Sequence, residues 1–264
     1  MRRPRQPLPQ NPNWIVIPFL NNWEMTKDVI LDSLEQWLEG RRPNILLVDN
    51  GSDEHIGALA YSWVGAARDL LLDVDILYTG HRPPGVPLGA AWNLALWQIW
   101  EFGGEQVLML NNDVHIHSVT FLQLDRVRAQ TQALFVSAVN DGAVPKCLPE
   151  YDGNRGGPDF SCFLITKECH AKYPFDPRFT YCSDWDQHHR MIIGGDGDKI
   201  FSINVPYEHL GNGSQTLKRM RETDPVRAQQ IAETADAHRA LYVEKWGGTF
   251  GQETLVKPKW EVEV

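Results

Sequence analysis

Polar side chains follow three apolar runs of the sequence, at the point where each run ends. They are Pro18–Asn22 after the first run, Asp49–Asp53 after the second and Asn111–Asp113 after the third. Continuous apolar runs are typical of strands buried on both faces, and ligands bind where the carboxyl ends of parallel strands meet at one edge of a sheet. One cluster alone would fit a turn or a helix cap, as Asp53 does, but the three together predict one binding crevice.

The third cluster supplies a carboxylate, Asp113, that could reach a divalent cation. Mg²⁺ and Mn²⁺ prefer carboxylate and phosphate oxygens and seldom need a complete protein cage, so one carboxylate, one imidazole, phosphate oxygens and waters would suffice. The glycine-rich loops G-x-G-x-x-G and G-x-x-x-x-G-K-[ST] are missing from the sequence. The pattern therefore indicates a nucleotide that is held by carboxylates, amides and a metal.

A further group of candidates lies in the second half of the sequence. Asp184 and Asp186 stand two residues apart, with Trp185 between them. A place at a helix N-terminus is the alternative for Asp184. Polar and basic residues around the next glycine-rich turn could close over a diphosphate as a lid, or could form a solvated face: Ser214, Lys218, Arg219 and Arg221.

The elements that must position these groups alternate between strand and helix. Strands are predicted near residues 14–17, 45–48, 75–78, 106–110 and 134–139, with helices at 24–39, 54–68, 88–102 and 118–131. This alternation indicates βαβ units, and therefore an α/β fold with a parallel sheet covered on both faces. Then come a long loop at 141–160, strands at 160–165 and 199–205, and a final helix at 224–245.

Composition narrows the class of protein. The 264 residues include 25 Lys and Arg against 34 Asp and Glu, a net charge of -9 that disfavours nucleic-acid binding. No run reaches the roughly 18 apolar residues of a membrane span, and the basic, proline-rich residues 1–12 lack the apolar region of a secretory signal. The cysteines form no C-x-x-C pair. We therefore expect a cytoplasmic protein with reduced thiols.

The segments Ile15–Asn21, Leu47–Asp53 and Leu108–Val114 resemble the successive motif blocks of family-2 glycosyltransferases with the GT-A fold. Later segments are similar to further blocks of that family, in order: Gly89–Asn93, Phe175–Phe179, Ser183–Asp186 with Arg190, His209 with Gly211 and Ser214, and Lys245–Gly248. The resemblance implies a Rossmann-like GT-A domain, with a mixed, mainly parallel sheet between helices and a carboxyl-terminal helical extension.

The resemblance also implies a division of the chain. An extended arm would cover residues 1–13, the GT-A domain 14–222, and a carboxyl-terminal helix and tail 223–264. Within the domain, 14–115 would be the nucleotide-binding half and 116–222 the acceptor and catalytic half.

The implied activity is inverting transfer of a sugar, of the hexosyltransferase kind, from a nucleotide-diphosphate donor to an acceptor hydroxyl. A UDP-sugar is favoured as the donor, and the acceptor would be a glycan, a lipid-linked molecule or a protein. The implied nucleotide-binding residues are Pro18, Asn21, Asp49, Asn50, Gly51, Asn93 and Asn112. The implied contacts to the sugar or the acceptor are Trp185, Asp159 and Arg190.

The family's E-D-x-D block carries its catalytic base. Ser183 stands at the first position here, so the matching base is Asp184, with Asp186 as a supporting carboxylate. A positioned carboxylate can take the proton of an attacking hydroxyl. The metal motif matches Asn111–Asp113, and the resemblance implies Mn²⁺ or Mg²⁺ held by Asp113 and His209.

Two other functions stay open. A sugar nucleotidyltransferase would also use a parallel sheet and a metal, but it would usually carry a glycine-rich basic loop where Pro18–Asn22 stands. A non-catalytic module that binds nucleotide-sugars or glycans would fit the departures at Ser183 and Asn111.

Overall fold

A computed structural model gives the fold of the chain. It describes residues 12–38, 40–70, 72–79, 85–139, 146–147, 160–205, 207–209, 221–222 and 225–262. Across these ranges, no helix combines the length and the apolar character that a membrane crossing requires.

Strands and helices alternate along the described chain. The strands are β1 (Asn13–Phe19), β2 (Asn44–Asp49), β3 (Val74–Tyr78), β4 (Gln106–Leu110), β5 (Val114–Ile116), β6 (Phe135–Val139), β7 (Lys146–Cys147), β8 (Cys162–Thr166), β9 (Ile200–Asn204) and β10 (Tyr207–His209). The helices are α1 (Trp23–Leu34), α2 (Glu54–Asp69), α3 (Leu88–Glu101), α4 (Thr120–Thr131), α5 (Lys167–Lys172), α6 (Ser183–Ile193) and α7 (Pro225–Trp246).

One sheet contains eight of the described strands, in the order β3-β2-β1-β4-β8-β6-β9-β7, and β5 pairs with β10 in a separate ribbon. β1 is parallel to β2 and β4, β2 to β3, and β6 to β9. β8 runs antiparallel to both of its neighbours, β4 and β6, and β7 runs antiparallel to β9. The predicted mixed, mainly parallel sheet is confirmed.

The sheet is buried on both faces because successive side chains of a strand point to opposite sides. In β1, Ile15 and Ile17 pack on one face with side chains of α1, α2 and α4. Trp14 and Val16 pack on the other face with side chains of α3, α5 and α6. This burial explains the unbroken apolar runs of the sequence.

Two predicted boundaries were wrong. β1 runs through Pro18 to Phe19, whereas the sequence placed its end at Pro18. β4 pairs with β1 only from Asn13 to Val16, so the missing N–H of Pro18 removes no hydrogen bond to β4. α1 ends at Leu34 rather than at residue 39, and the chain beyond it forms an isolated bridge between Leu38 and Arg41.

Candidate functional site

The ends of β1 and β2 are joined by their own polar residues. The backbone N–H of Asn21 donates to Ser52 Oγ (2.8 Å), and the N–H of Asp53 donates to Asn21 Oδ1 (2.9 Å). The N–H of Ser52 donates to Asp49 Oδ1 (2.8 Å). Asn21 has a φ of 57°, a left-handed conformation that asparagine adopts more readily than most residues. Two of the three predicted clusters therefore form one continuous surface.

Asn50, which follows β2, fixes the segment that leads into α3. Its Nδ2 donates to the carbonyl of Val86 (2.9 Å), and its Oδ1 accepts from the N–H of Val86 (3.1 Å). Gly85 has a φ of +80°, and a Cβ there would lie 2.0 Å from the carbonyl oxygen of Asn50. The position therefore requires glycine. Both ends of the Asn50 amide are engaged with this segment.

The start of α3 lies in turn against the start of α6. The N–H of Gly89 donates to the carbonyl of Phe179 (2.9 Å), and Ser183 Oγ donates to the same carbonyl (3.0 Å). A Cβ at Gly89 would lie 3.3 Å from Ser183 Oγ. Asp184, which is half-buried, follows Ser183 in the first turn of α6.

The third cluster lies beyond β4 and contacts its neighbours on two sides. Asn112 Nδ2 donates to Thr26 Oγ1 of α1 (3.3 Å). The N–H of Asn111 donates to the carbonyl of Ser161, just before β8 (2.9 Å). Asp113 is buried, with 4% of its surface exposed.

Asp113 leads directly into the ribbon of β5 and β10. The antiparallel register places His209 opposite Val114, so the backbones of the two predicted metal ligands lie at the same end of the ribbon. The ribbon is fixed to α1 by Asp32, whose Oδ2 lies 2.8 Å from His115 Nδ1 and accepts from the N–H of Ile116 (3.3 Å).

Asp186 is enclosed by protein donors. Its Oδ2 accepts from Arg190 Nε (2.9 Å), and its Oδ1 accepts from Trp246 Nε1 (2.9 Å) and lies 2.6 Å from Lys245 Nζ. Arg190 also donates to the carbonyl of Pro174 (2.5 Å). Asp186 lies in the first turn of α6, two residues after Asp184, and is fully buried. The predicted contact of Arg190 with a sugar stays a prediction.

Asn93 lies inside the packing between α3 and the segment before α6. Its Nδ2 donates to the carbonyl of Phe175 (2.7 Å), and its Oδ1 accepts from the N–H of Phe175 (3.0 Å) and lies 2.9 Å from His170 Nε2. Trp100 Nε1 donates to His170 Nδ1 (3.0 Å), which places the imidazole proton on Nε2. Burial, with a smaller effect of Arg190, lowers the pKa of His170 to about 4. These contacts are structural, and a nucleotide contact of Asn93 stays a prediction.

The other predicted residues are distributed as follows. Pro18 is buried in β1 opposite Val48, and Gly51 has a φ of 87°, in the left-handed region that favours glycine. Trp185 is half-buried, and its ring is stacked on Phe250 with centroids 5.7 Å apart. Arg221 is exposed. Asp159, Ser214, Lys218 and the side chain of His209 lie outside the described residues.

Sequence analysis missed the contacts of three residues that hold this edge together. Ser52 accepts from Asn21, and it was noted only as part of a motif. Two side chains of α7, His238 and Lys245, contact α6 or the segment before it. Nothing in the sequence near His238 or Lys245 indicates its partner, because the partners lie far away in the sequence.

No protein-family model matches the sequence, and no curated protein matches it. Solved structures match it by fold. S. aureus TarS 1-349 in complex with UDP-GlcNAc is 14% identical with a TM-score of 0.53, over 80% of this chain and 63% of that chain. The mannosyltransferase PcManGT from Pyrobaculum calidifontis, in complex with GDP-Man and Mn²⁺, is 15% identical with a TM-score of 0.57, over 82% and 62%.

Glucosyl-3-phosphoglycerate synthase from Mycobacterium tuberculosis, in complex with Mn²⁺, UDP and glucosyl-3-phosphoglycerate, is 16% identical with a TM-score of 0.54. The match covers 80% of this chain and 76% of that chain. This chain spans less than two thirds of the length of the TarS and PcManGT chains. The likeness establishes the fold: the chain has the GT-A fold, as the resemblance implied.

Proposed function

We propose that this protein transfers a sugar from a nucleotide-diphosphate donor, a UDP-sugar in the first instance, to an acceptor hydroxyl with inversion at the anomeric carbon. The observation that carries the proposal is that the polar clusters after β1 and β2 are hydrogen-bonded to each other, and that the start of α3 is hydrogen-bonded to the segment before α6. The fold supports it, since solved structures that share the fold include complexes with UDP-GlcNAc or with GDP-Man and Mn²⁺.

The nucleoside would lie over the ends of β1 and β2. Asn21 and Ser52 are fixed there by their mutual hydrogen bond, and Asp49 Oδ1 is held by the N–H of Ser52. The imide N–H of uracil needs an acceptor, and a carboxylate or amide oxygen supplies one. The second carboxylate oxygen of Asp49 is our candidate for that acceptor.

The residues at the end of β4 fit a divalent cation that takes few protein ligands. Among the residues that the structure describes, no group of three or more His, Cys, Asp or Glu side chains could hold a metal. Asp113 and His209 would supply one carboxylate and one imidazole to Mn²⁺ or Mg²⁺, and such ions often bind through one or two carboxylates together with substrate phosphates. A bound ion would offset the negative charge that develops on the leaving diphosphate.

Asp184 is our candidate for the general base. Its carboxylate takes the proton of the acceptor hydroxyl as that oxygen attacks the anomeric carbon. One base, with attack from the side opposite the diphosphate, gives inversion. Asp186 has its oxygens bound by Arg190, Trp246 and Lys245, so its part is to hold the turn that carries Asp184.

A non-catalytic binding module is the second candidate. The observation that favours it is Ser183, which stands where the resembled family has an acidic residue and whose Oγ donates to the carbonyl of Phe179. Such a module would bind a nucleotide-sugar and would neither hydrolyse nor transfer it.

The Asp184→Asn variant tests the proposal. A screen of UDP-, GDP- and dTDP-sugars with Mn²⁺, by thermal shift of the wild-type protein, first identifies the donor. We expect Asp184→Asn to lower the turnover of that donor by about 10³-fold, because general base catalysis contributes roughly 10²–10⁴-fold. Nucleotide affinity, measured by calorimetry, should stay within about twofold of the wild-type value, since the clusters of β1 and β2 are intact.

Asp236→Asn is the matched control. Asp236 is an exposed acid of α7, with 76% of its side chain accessible, and its variant should turn over at the wild-type rate. Wild-type turnover by Asp184→Asn would show that the base is misassigned. A wild-type protein that binds the donor and never consumes it would be the binding module instead.

A further inference from the structure

The carboxyl-terminal helix inserts a charged side chain into the protein interior. Lys245, in the last turn of α7, has 0% of its side chain exposed. Its Nζ lies 2.9 Å from Asp176 Oδ2 and 2.6 Å from Asp186 Oδ1, and both carboxylates are also fully buried. A buried ammonium is strongly unfavourable unless it is paired and hydrogen-bonded, so this geometry requires both partners.

Asp186 connects Lys245 to the first turn of α6. The N–H of Asp186 donates to the carbonyl of Cys182, which closes that turn (3.0 Å). Trp246, next to Lys245, donates its Nε1 to the same carboxylate oxygen of Asp186 (2.9 Å). Two consecutive residues of α7 therefore hold one oxygen of a residue that lies two positions from Asp184.

Asp176 connects Lys245 to the segment that precedes α6. Arg178 donates to it from Nε (2.8 Å) and from its backbone N–H (3.1 Å), and Trp260 of the tail donates to its Oδ2 (3.4 Å). Burial alone would raise the pKa of Asp176, but the hydrogen bonds of Arg178 and Lys245 outweigh it and lower the pKa to about 2. Asp176 is therefore an anion at neutral pH.

α7 contacts the same segment at a second point. His238 Nδ1 accepts hydrogen bonds from the backbone N–H groups of Thr180 (2.9 Å) and Tyr181 (3.1 Å). The ring of His238 also packs edge-on against Phe179, with centroids 6.0 Å apart. Cys182, the residue after Tyr181, has a φ of 66°. The chain therefore turns sharply at the point where α7 contacts it.

We infer that Lys245 is a positioning residue: it and its neighbours on α7 fix the turn at residues 179–186, and thereby the carboxylate of Asp184, against the edge of the sheet. This inference deepens the proposed function and rests on it for the role of Asp184. A buried ion pair is by itself weak evidence of stabilisation, and a hydrophobic pair often packs as well. Here Lys245 joins two buried carboxylates, Asp176 before Asp184 and Asp186 after it. This arrangement favours a role in fixing the position of the turn that carries Asp184.

Lys245→Met is the test variant, because methionine keeps most of the side-chain length and removes the charge. We expect kcat for transfer to fall by on the order of 100-fold, as misplacement of a catalytic group by about 1 Å can do. The KM for the donor and the affinity for UDP with Mn²⁺ should change by less than about threefold, because α7 holds the acceptor side and not β1 or β2.

Hydrogen exchange of the full-length protein gives a readout that does not depend on activity. The amides of residues 183–188 should exchange at least about tenfold faster in Lys245→Met, whereas those of β1, β2 and β4 should keep the wild-type rates. Uniformly faster exchange throughout the sheet would mean that Lys245 only adds global stability, and it would overturn the inference. Unchanged exchange at 183–188 would overturn it as well.

Lys257→Met is the matched control, since Lys257 is an exposed lysine of the tail that follows α7. It should match the wild type in every measurement. If Lys245→Met does not fold, Trp246→Phe keeps an aromatic ring and removes one hydrogen bond to Asp186, and the same local increase in exchange decides the question. If the wild-type protein transfers no sugar, the proposed function fails, while the exchange data still decide whether Lys245 holds the turn.

Discussion

The side-chain amide of Asn93 links α3 to the segment that leads into α6. It makes two hydrogen bonds to the backbone of Phe175, and its oxygen also faces His170 Nε2. Each partner is buried, so truncation of Asn93 would strand an N–H, a carbonyl and an imidazole away from water. The Asn93 amide therefore ties α3 to the segment before α6.

We therefore expect Asn93→Ala to lower the free energy of unfolding by roughly 3 kcal/mol, because each buried polar group left without a partner costs about 1–3 kcal/mol. Urea denaturation followed by circular dichroism measures the change. Asn204→Ala, at the exposed end of β9, serves as the control and should change stability by less than about 0.5 kcal/mol. An equal loss in both variants would contradict the structural role of Asn93.

At the scale of elements, the β5–β10 ribbon is the part of the site that the main sheet does not hold. It pairs with no strand of that sheet within the described chain. Its anchor is Asp32 of α1, which contacts His115 and Ile116. Because Asp113 precedes β5 and His209 ends β10, the position of this ribbon determines the position of both proposed metal ligands.

We expect Asp32→Ala to weaken the Mn²⁺-dependent part of nucleotide binding by about tenfold, since loss of groups that orient metal ligands typically costs 10–100-fold in metal affinity. Calorimetric titration of UDP with Mn²⁺ and with EDTA separates that part from the binding that needs no metal. Asp28→Ala, an exposed acid of the same helix, is the control. A loss of equal size with Mn²⁺ and with EDTA would count against the ribbon as the metal-holding element.

The whole molecule should respond to pH through its buried histidines. His188 is fully buried against Phe135 and Phe160, and burial lowers its pKa to about 3. His170, with a pKa of about 4, is also buried. A histidine whose pKa is lower in the folded protein than in the unfolded chain takes up its proton more readily when unfolded. Its contribution to stability is complete above about pH 6.5 and is lost as the pH falls toward the folded-state pKa.

Between pH 7.5 and pH 4.5 we accordingly expect the free energy of unfolding to fall by several kcal/mol. Each of the two histidines contributes about 3 kcal/mol, from about two pH units at 1.36 kcal/mol per unit. Denaturant titrations at both pH values measure the change. The His188→Leu variant has no titrating group at this position and should lose about 3 kcal/mol less. If the pH dependence of His188→Leu equals that of the wild type, protonation of His188 does not drive the change.

The sequence predicted the parallel half of the sheet better than the rest of the fold. β1, β2 and β4 are buried on both faces, so each appears in the sequence as an unbroken apolar run followed by a cluster of polar residues. β5 and β10 have three residues each, too few for a periodic pattern, so the ribbon could not be predicted. The reversed direction of β8 was also hidden, because a buried strand has the same composition in either direction.

The burial of Lys245 could not be predicted for a different reason. A lysine near the end of an amphipathic helix ordinarily faces water, and only its distant partners Asp176 and Asp186 make the interior tolerable for it. The resemblance to a known family marked Lys245 in one block of the sequence and the two carboxylates in other blocks. The contact between them is a property of the folded chain alone.

The reversed direction of β8 determines where the chain between β6 and β8 begins and ends. β8 runs opposite to β4 and β6, and Leu110 pairs with Cys162, so the chain leaves β6 at Val139 and re-enters β8 on the same side of the molecule. Changes in length between Val139 and Phe160 that spare β7 would therefore leave the pairing of β1, β2, β3 and β4 unchanged. Variation of this connection is thus separable, by topology, from the parallel strands β1, β2 and β4.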